Sequence, residues 1–458
     1  MIFTLSVAFL SAILVGFLYF GKTWSTTPTN FLFANRSLKA VSTGLAINSH
    51  WFWAIAMFVA PAVAYNWGIV GLLWFVIPNS LSLLVVAALT HKLRDVYPDG
   101  YSLTEYIKDN FSKRMGILYQ VVYAGVALMG LLLAFTAITK FFAFAGLGEV
   151  IDPIYASLIV GLITLGFTIK GGIRTSVYTG VIQTVLWVTF LGAMFVAAVV
   201  GGFDFSVFGK NNLHTVFDDK FLTTFGIAYI ITIMVGATTH GTMWQKSFSM
   251  PKEEIFPSYT LAAVIFAFVV FSLGSFGLYA QSIGLEVKAP DLSSLAGILN
   301  MYGVVAITVF GVLLIGQTST VMDSQLNYIS SLVSREWIKG GGTTTARIVM
   351  AVFFIAAWMI SWLKVEVWTI FMLMGSLRIS MFAPLVFTVY QRRLNEILTF
   401  YISLISISGC LYFSYTGKIL KDPVYDMYSA LYGLGLPLAA CLISTAIAKK
   451  NDKDLIKV

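Results

Sequence analysis

Gly171-Gly172-Ile173-Arg174-Thr175-Ser176-Val177-Tyr178-Thr179-Gly180-Val181-Ile182-Gln183 lies between two long apolar runs. It opens as a short basic turn, with Lys170 just before it and Arg174 inside it, and then runs without charge to a glutamine. A turn of that kind between apolar runs belongs to a chain that crosses a membrane repeatedly. The composition agrees. Of 458 residues, 58% are hydrophobic, 15% aromatic and only 11% charged. Soluble domains average about 25% charged residues. A spanning helix needs about 20 apolar residues. Ile2–Gly21, Met115–Thr139, Thr175–Phe203, Phe221–Gln245, Ile255–Leu285, Leu292–Met322, Ile397–Gly417 and Met427–Ala448 carry no charge over at least that length. Ala40–Thr90 has His50 as its only ionisable side chain and is long enough for two spans.

The chain is therefore read as an all-α integral membrane protein of about thirteen spans. These are 2–20, 41–65, 68–93, 115–146, 152–170, 176–201, 222–248, 256–283, 302–334, 343–364, 367–391, 394–415 and 426–448. The first has no basic flank or small-residue cleavage site and reads as a retained helix rather than a signal peptide. Loops on one side hold Lys22, Arg36, Lys39, Lys92, Arg94, Lys108, Lys113, Arg114, Lys170, Arg174, Lys246, Lys252, Arg335, Lys339, Arg347, Arg392 and Arg393, and the tail adds Lys449, Lys450, Lys453 and Lys457. The other side has Lys210, Lys220, Lys288, Lys364, Lys418 and Lys421. Such a bias marks the cytoplasmic face. It puts the N-terminus outside and the C-terminus inside, with the plasma (inner) membrane as the expected location. The net charge of +8 is mostly this bias and does not signal a nucleic-acid partner. Cys410 and Cys441 both lie in apolar runs, which argues against a disulfide framework or a thiolate metal site.

Four stretches, in order, resemble the sodium:solute symporter family. Asn30-Phe31-Leu32-Phe33-Ala34-Asn35-Arg36-Ser37-Leu38 resembles its D-[YF]-F-L-A-G-R-S-L loop, and Tyr101-Ser102-Leu103-Thr104-Glu105-Tyr106-Ile107 its Y-T-L-P-E-Y-L loop. Gly171–Gln183 resembles its paired-glycine signature. Asp323-Ser324-Gln325-Leu326 with Ser330-Ser331 and Arg335-Glu336 resembles its S-T-A-D-S-Q-L helix. Trp51-Phe52-Trp53-Ala54 and Ala64-Tyr65-Asn66-Trp67-Gly68 are similar to its urea/polyamine-type branch.

The resemblance implies a LeuT-like core of two inverted five-helix repeats at 41–201 and 222–391. Residues 1–40 would form a peripheral helix and cytoplasmic loop, and 392–458 two peripheral helices and a tail. Each repeat would open on a broken helix, at Asn48–Phe58 and at Val235–Trp244, with solute bound between them near the midplane. Gly236 and Gly241 suit the second break; the first has no central glycine. Carbonyls near Asn48 and Trp51 would meet Gly316, Gln317, Ser319 and Thr320 around a sodium ion. Gap-free alignment on Asp323-Ser324-Gln325 puts the hydroxyl pair at Thr320 and Val321, and a one-residue slip moves it to Ser319 and Thr320. Gly180 stands where the family often has an aspartate, which argues against a second ion site.

His50, Trp53, His240, Trp244 and Arg378 are the expected solute contacts, with Trp51 and Trp67 as further walls. Gln245 beside Lys246 reads as a pocket or gate contact. Lys140 lies near a helix end and is expected to snorkel. Arg378 lies mid-helix, where a charge is costly; it either pairs with Asp323 as a buried ion pair or binds an anionic group of the solute. The expected function is cation-coupled symport of a small organic solute, sodium first, by alternating access. Proton-coupled or uncoupled transport, or a symporter-like sensory module, are the alternatives. No H-E-x-x-H or G-x-S-x-G motif suggests an enzyme. The partners expected are the solute, sodium or a proton, and the bilayer, with no nucleic acid, no cofactor and no obligate protein partner.

Overall fold

The structure, a computed structural model, describes residues 1–20, 27–149, 151–206, 218–338, 340–365 and 367–455. Lys22, Lys210, Lys339 and Lys457, used above in the charge comparison, lie outside the described residues. In chain order the helices are α1 (Ile2–Phe20), α2 (Pro28–Phe33), α3 (Ala40–Trp51), α4 (Ala54–Val96), α5 (Leu103–Asn110), α6 (Lys113–Phe144), α7 (Pro153–Gly171) and α8 (Ile173–Val200). A single turn α9 (Asp219–Phe221) then leads through a π-helical turn into α10 (Ile227–Gly236). After it come α11 (Gly241–Phe248), α12 (Ile255–Ser282), α13 (Ser293–Leu332), α14 (Thr343–Ser361), α15 (Val367–Val389), α16 (Glu396–Leu420) and α17 (Val424–Leu455).

Eleven helices among the described residues are long and apolar enough to cross a membrane, and Ile2–Phe17 is a shorter apolar one. Two of the longest are interrupted. α4 leaves helical geometry at Gly68 (φ 66°, ψ −153°) and α13 at Gly303 (φ 76°, ψ −167°). Polar side chains close the helix starts. Ser102 accepts from Thr104 N, Ser112 from Met115 N, and Asn395 from Leu398 N. Asp152 caps α7 just ahead of Pro153, whose fixed φ suits a first helical position.

The paired glycine that opens the sequence argument is the joint between α7 and α8. Gly172 takes φ 60°, ψ −140°, and a Cβ there would run into the Phe31 carbonyl. Arg174, two residues on, donates to Asn30 Oδ1 (3.3 Å), Ala34 O (3.3 Å) and Ser37 Oγ (3.0 Å). The first and third family-like stretches are thereby tied together. The second and fourth join them. Arg36 donates to Pro98 O and Gly100 O and lies 4.2 Å from the Tyr101 ring centroid. Arg335 covers the same ring at 4.9 Å and pairs with Glu105 at 3.2 Å. Glu336 accepts from Ser102 (2.7 Å), Thr104 (2.6 Å) and Gln120 (2.6 Å). Four stretches far apart in sequence thus form one polar patch on the face of the basic loops. Lys140 belongs to the opposite end, where it pairs with Asp291.

Gly172→Ala is expected to cost about 1–3 kcal/mol through backbone strain, more if Phe31 cannot shift. Gly192 in α8 has open space at its Cβ position. Gly192→Ala is expected to leave stability unchanged or raise it by up to about 1 kcal/mol. Thermal unfolding of the detergent-purified protein checks both; equal melting temperatures would reject the close approach at Gly172.

Candidate functional site

Two helices break at the centre of the molecule. Between α3 and α4, Phe52 (φ −80°, ψ 69°) and Trp53 (φ −103°, ψ −175°) are not helical. These are conformations open to any residue, so this break needs no glycine. Between α10 and α11 the chain tightens into a turn at Ala237–Thr239, and His240 is extended (φ −95°, ψ 110°). Gly236 and Gly241 flank that break for room, not for dihedral freedom. A Cβ on Gly241 would collide with the Tyr328 ring, and one on Gly236 would touch Arg378 Nη1 and Trp51 Cη2, each at 3.5 Å.

A break frees backbone groups that must find partners away from water. At the first, Gln317 Nε2 donates to Phe52 O at 2.9 Å, to Ser49 O and to Ser49 Oγ at 3.1 Å. At the second, Thr238 O accepts from Tyr123 Oη (3.0 Å) and Trp244 Nε1 (2.7 Å). The two breaks face each other. His50 Nε2 lies 2.7 Å from Thr242 Oγ1, and the His50 and His240 rings are 5.6 Å apart. Trp51 and Trp53 meet the His240 ring edge-to-face at 5.6 and 5.2 Å. His50, Trp51, His240 and Arg378 are all 2% exposed or less. Yet Trp51 Nε1, His50 Nδ1, both His240 nitrogens and Arg378 Nη2 have no hydrogen-bond partner among the described residues. Buried polar atoms are normally paired, which makes this cluster the candidate binding site.

Of the expected solute contacts, His50, Trp53, His240 and Arg378 converge here. Trp244 lines the region, but its indole N–H is held by Thr238 O. Trp67 packs on Phe221 at 5.4 Å, beyond the cluster. Gln245 grips Leu32 O (3.0 Å) and Asn327 O (3.3 Å), on the side of the basic loops. A narrow cavity of about 20 Å³ reaches from Tyr101 and Glu336 on that side to Gly241 at the second break.

The residues expected to hold an ion lie along α3 and α13. Asn48 O still accepts the Phe52 amide at 2.7 Å. The carbonyls that Gln317 holds are Ser49 and Phe52, rather than Asn48 and Trp51. Ser319 turns to α7, where its hydroxyl meets Thr164 at 2.6 Å. Thr320 lies three residues after Gln317, and its hydroxyl donates to Gly316 O at 3.3 Å. Gly316 presses on the Gln183 amide, whose Oε1 has no partner among the described residues. A Cβ on Gly180 would lie 2.8 Å from Ala46 Cα, so the tight seam between α3 and α8 excludes an aspartate there.

Asp323 and Arg378 do not form the expected ion pair. Asp323 faces α7 and α8, accepting from Thr179 (3.0 Å), Thr168 (3.3 Å) and Asn327 (2.7 Å). Arg378 faces the second break and donates Nε to Met374 O at 3.1 Å. Equal depth had suggested the pair, but the two side chains leave their helices in different directions. Lys246 is the cation nearby: its Nζ donates to Ala46 O (3.0 Å) and to the hydroxyl of Ser324 (3.3 Å), the residue next to Asp323. Lys246, counted among the loop cations in the sequence analysis, is 1% exposed inside α11. Thr242, Tyr123 and Thr238 carried no signal that would have found them.

No protein-family model matches the chain. Among curated proteins it is similar to the Probable urea active transporter 3 of Schizosaccharomyces pombe, 21% identical over 176 residues. The match covers 37% of the chain and only 25% of that relative's length. Among solved structures, a Na+-coupled sialic acid symporter in a substrate-bound outward-open state superposes with a TM-score of 0.75 at 16% identity, covering 98% of each chain. Mhp1, a nucleobase-cation-symport-1 family transporter in a closed conformation with bromovinylhydantoin, gives 0.56 at 14% identity over 92% of this chain and 96% of its own. A manganese transporter variant from Eremococcus coleocola gives 0.55 at 12% over 94% and 99%. The fold is accordingly that of an all-α, multi-pass membrane protein of the LeuT-like class.

Stability measurements separate the two possible partners of Asp323. Lys246→Met and Asp323→Asn are expected to couple by about 0.5–3 kcal/mol in a double-mutant cycle. Arg378→Met and Asp323→Asn are expected to add within about 0.5 kcal/mol. The reverse pattern in thermal melts would restore the Asp323–Arg378 pair.

Proposed function

We propose that the protein is a secondary active transporter that couples a cation to symport of a small organic solute by alternating access. The observation that carries this is the meeting of two broken helices around a buried cluster of unpaired polar groups. Broken helices at mid-depth offer ligands without full charges, which is how transporters of this architecture hold solutes and ions. The fold likeness and the partial similarity to a urea transporter support the same reading. Residues 41–201 and 222–391 are proposed as inverted repeats, since α3/α4 and α10/α11 break at corresponding places. The basic loops are proposed to face the cytoplasm, with the N-terminus outside and the plasma (inner) membrane as the location. No cofactor enters the proposal.

Sodium is the first choice of coupling ion, at Thr320 and the carbonyls of the first break. One observation favours a second reading, coupling to protons or to no ion. The Gln317 amide already supplies N–H donors to Ser49 O and Phe52 O, and two carbonyl oxygens so engaged have less to offer a cation. Lys246 likewise brings a tethered ammonium to Ala46 O, close to where Gly180 replaces an acid.

Uptake of a labelled solute panel into proteoliposomes, with sodium and proton gradients imposed separately, tests the proposal. An inward sodium gradient is expected to stimulate uptake, and Thr320→Ala to raise the sodium needed for half-maximal uptake about tenfold, equivalent to about 1.4 kcal/mol. Stimulation by a proton gradient alone, indifferent to sodium and to Thr320→Ala, would establish the second reading. Solute binding without uptake under either gradient would reject transport in favour of a sensory role.

A further inference from the structure

Among the described residues Arg378 is the one fully buried guanidinium, at 1% exposure in the middle of α15. It forms no ion pair among the described residues. Its one described hydrogen bond runs from Nε to Met374 O on its own helix, and Nη2 has no partner there. A guanidinium cannot discharge itself at accessible pH. An uncompensated charge at this depth is destabilising, so it persists where something else meets it.

The surroundings say what that is. Arg378 Nη1 and the edge of Trp51 both point at the space beside Gly236, on the last turn of α10. The Trp51 indole N–H and both His240 nitrogens lie in the same cluster without partners among the described residues, and Asp323, the acid nearest in depth, is held by Thr168, Thr179 and Asn327 instead. The groups on offer are mostly donors: a planar fork, an indole N–H and one imidazole N–H, against the single acceptor nitrogen of His240. Trp51 and Trp53 stand nearly parallel, 20° apart with centroids 6.4 Å apart, and His240 stands edge-on to both. These flat apolar walls suit an organic body.

We propose that Arg378 is an anion subsite of the solute site, and that the solute carries a carboxylate held by the guanidinium, with its apolar body against Trp51 and Trp53. A fork of two N–H groups matches a carboxylate bidentately; an inorganic anion would fill the fork and leave the aromatic walls unused. The word solute rests on the transporter reading, whereas the subsite itself does not.

The test uses the purified full-length protein at fixed pH, with tryptophan fluorescence and thermal unfolding as readouts. The probes are aliphatic and aromatic monocarboxylates, their primary amides, sodium chloride and inorganic phosphate. At least one carboxylate is expected to bind ten times tighter than its amide. Arg378→Gln should lose that binding at least tenfold, and Arg378→Lys should weaken it while keeping the preference for carboxylate over amide. Without ligand, Arg378→Gln should melt at or above the wild type, because an uncompensated charge has been removed. The proposal fails if no carboxylate binds, if amides bind equally, if only chloride or phosphate binds, or if Arg378→Gln keeps carboxylate binding. A ligand-free Arg378→Gln that unfolds or melts well below wild type also overturns it, since Arg378 would then be structural. Uptake of the bound carboxylate into proteoliposomes is measured beside this. Binding that depends on Arg378 without uptake would keep the subsite and reject transport.

Discussion

The constraint on which the rest of the molecule depends is that a helix broken inside a membrane leaves backbone groups with no water to satisfy them. Each such group costs several kcal/mol unless another part of the protein supplies a partner. At the first break the partner is the Gln317 amide, which takes Ser49 O and Phe52 O together. At the second, Tyr123 and Trp244 share Thr238 O. These bonds fix the register of α13 against α3 and of α6 against α10. Once they are set, the aromatic cluster and the unpaired donors around it have little freedom to lie elsewhere.

The patch on the basic face is the second point where distant segments are bound to one another. Tyr101 takes a guanidinium from Arg36 and another from Arg335, and Glu336 takes three donors from α5 and α6. Each bond is modest by itself, because the patch is only partly buried. Together they anchor the end of α13 to the loops ahead of α3 and α5. The helix whose middle meets the first break is therefore held at one end by side chains that touch neither break.

Much of this was legible in the sequence, for reasons that differ by element. The spans follow from uninterrupted apolar runs, whose lengths the bilayer dictates. The four family-like stretches could be read singly, but their meeting in one patch could not, because nothing local records which loops share a face. Gly236 and Gly241 mark the second break in the sequence, and in the structure both serve close approach. The first carries no local mark at all: Phe52 and Trp53 adopt backbone angles that any residue can take. That Gln317 would hold the Ser49 and Phe52 carbonyls could not be read from the sequence for the same reason. Asp323 and Arg378 were paired by depth. Depth along a helix says nothing of direction around it, and that missing coordinate concealed both Lys246 and the isolation of Arg378.

The short helix after the second break is gripped unevenly. Gln245 holds Leu32 O and Asn327 O, Lys246 holds Ala46 O and Ser324, and Ser247 meets Tyr259 at 2.8 Å. Every one of these grips lies toward the end away from the hinge at Thr238. The segment behaves as a lever of about 12 Å, eight residues at 1.5 Å each, clamped at its tip. A tilt of about 10° at the hinge would carry that tip about 2 Å, enough to part hydrogen bonds whose working range is a few tenths of an ångström. Swinging this arm would therefore require releasing four neighbouring helices, α2, α3, α12 and α13, at nearly the same moment. Such a swing would break these bonds together rather than one at a time.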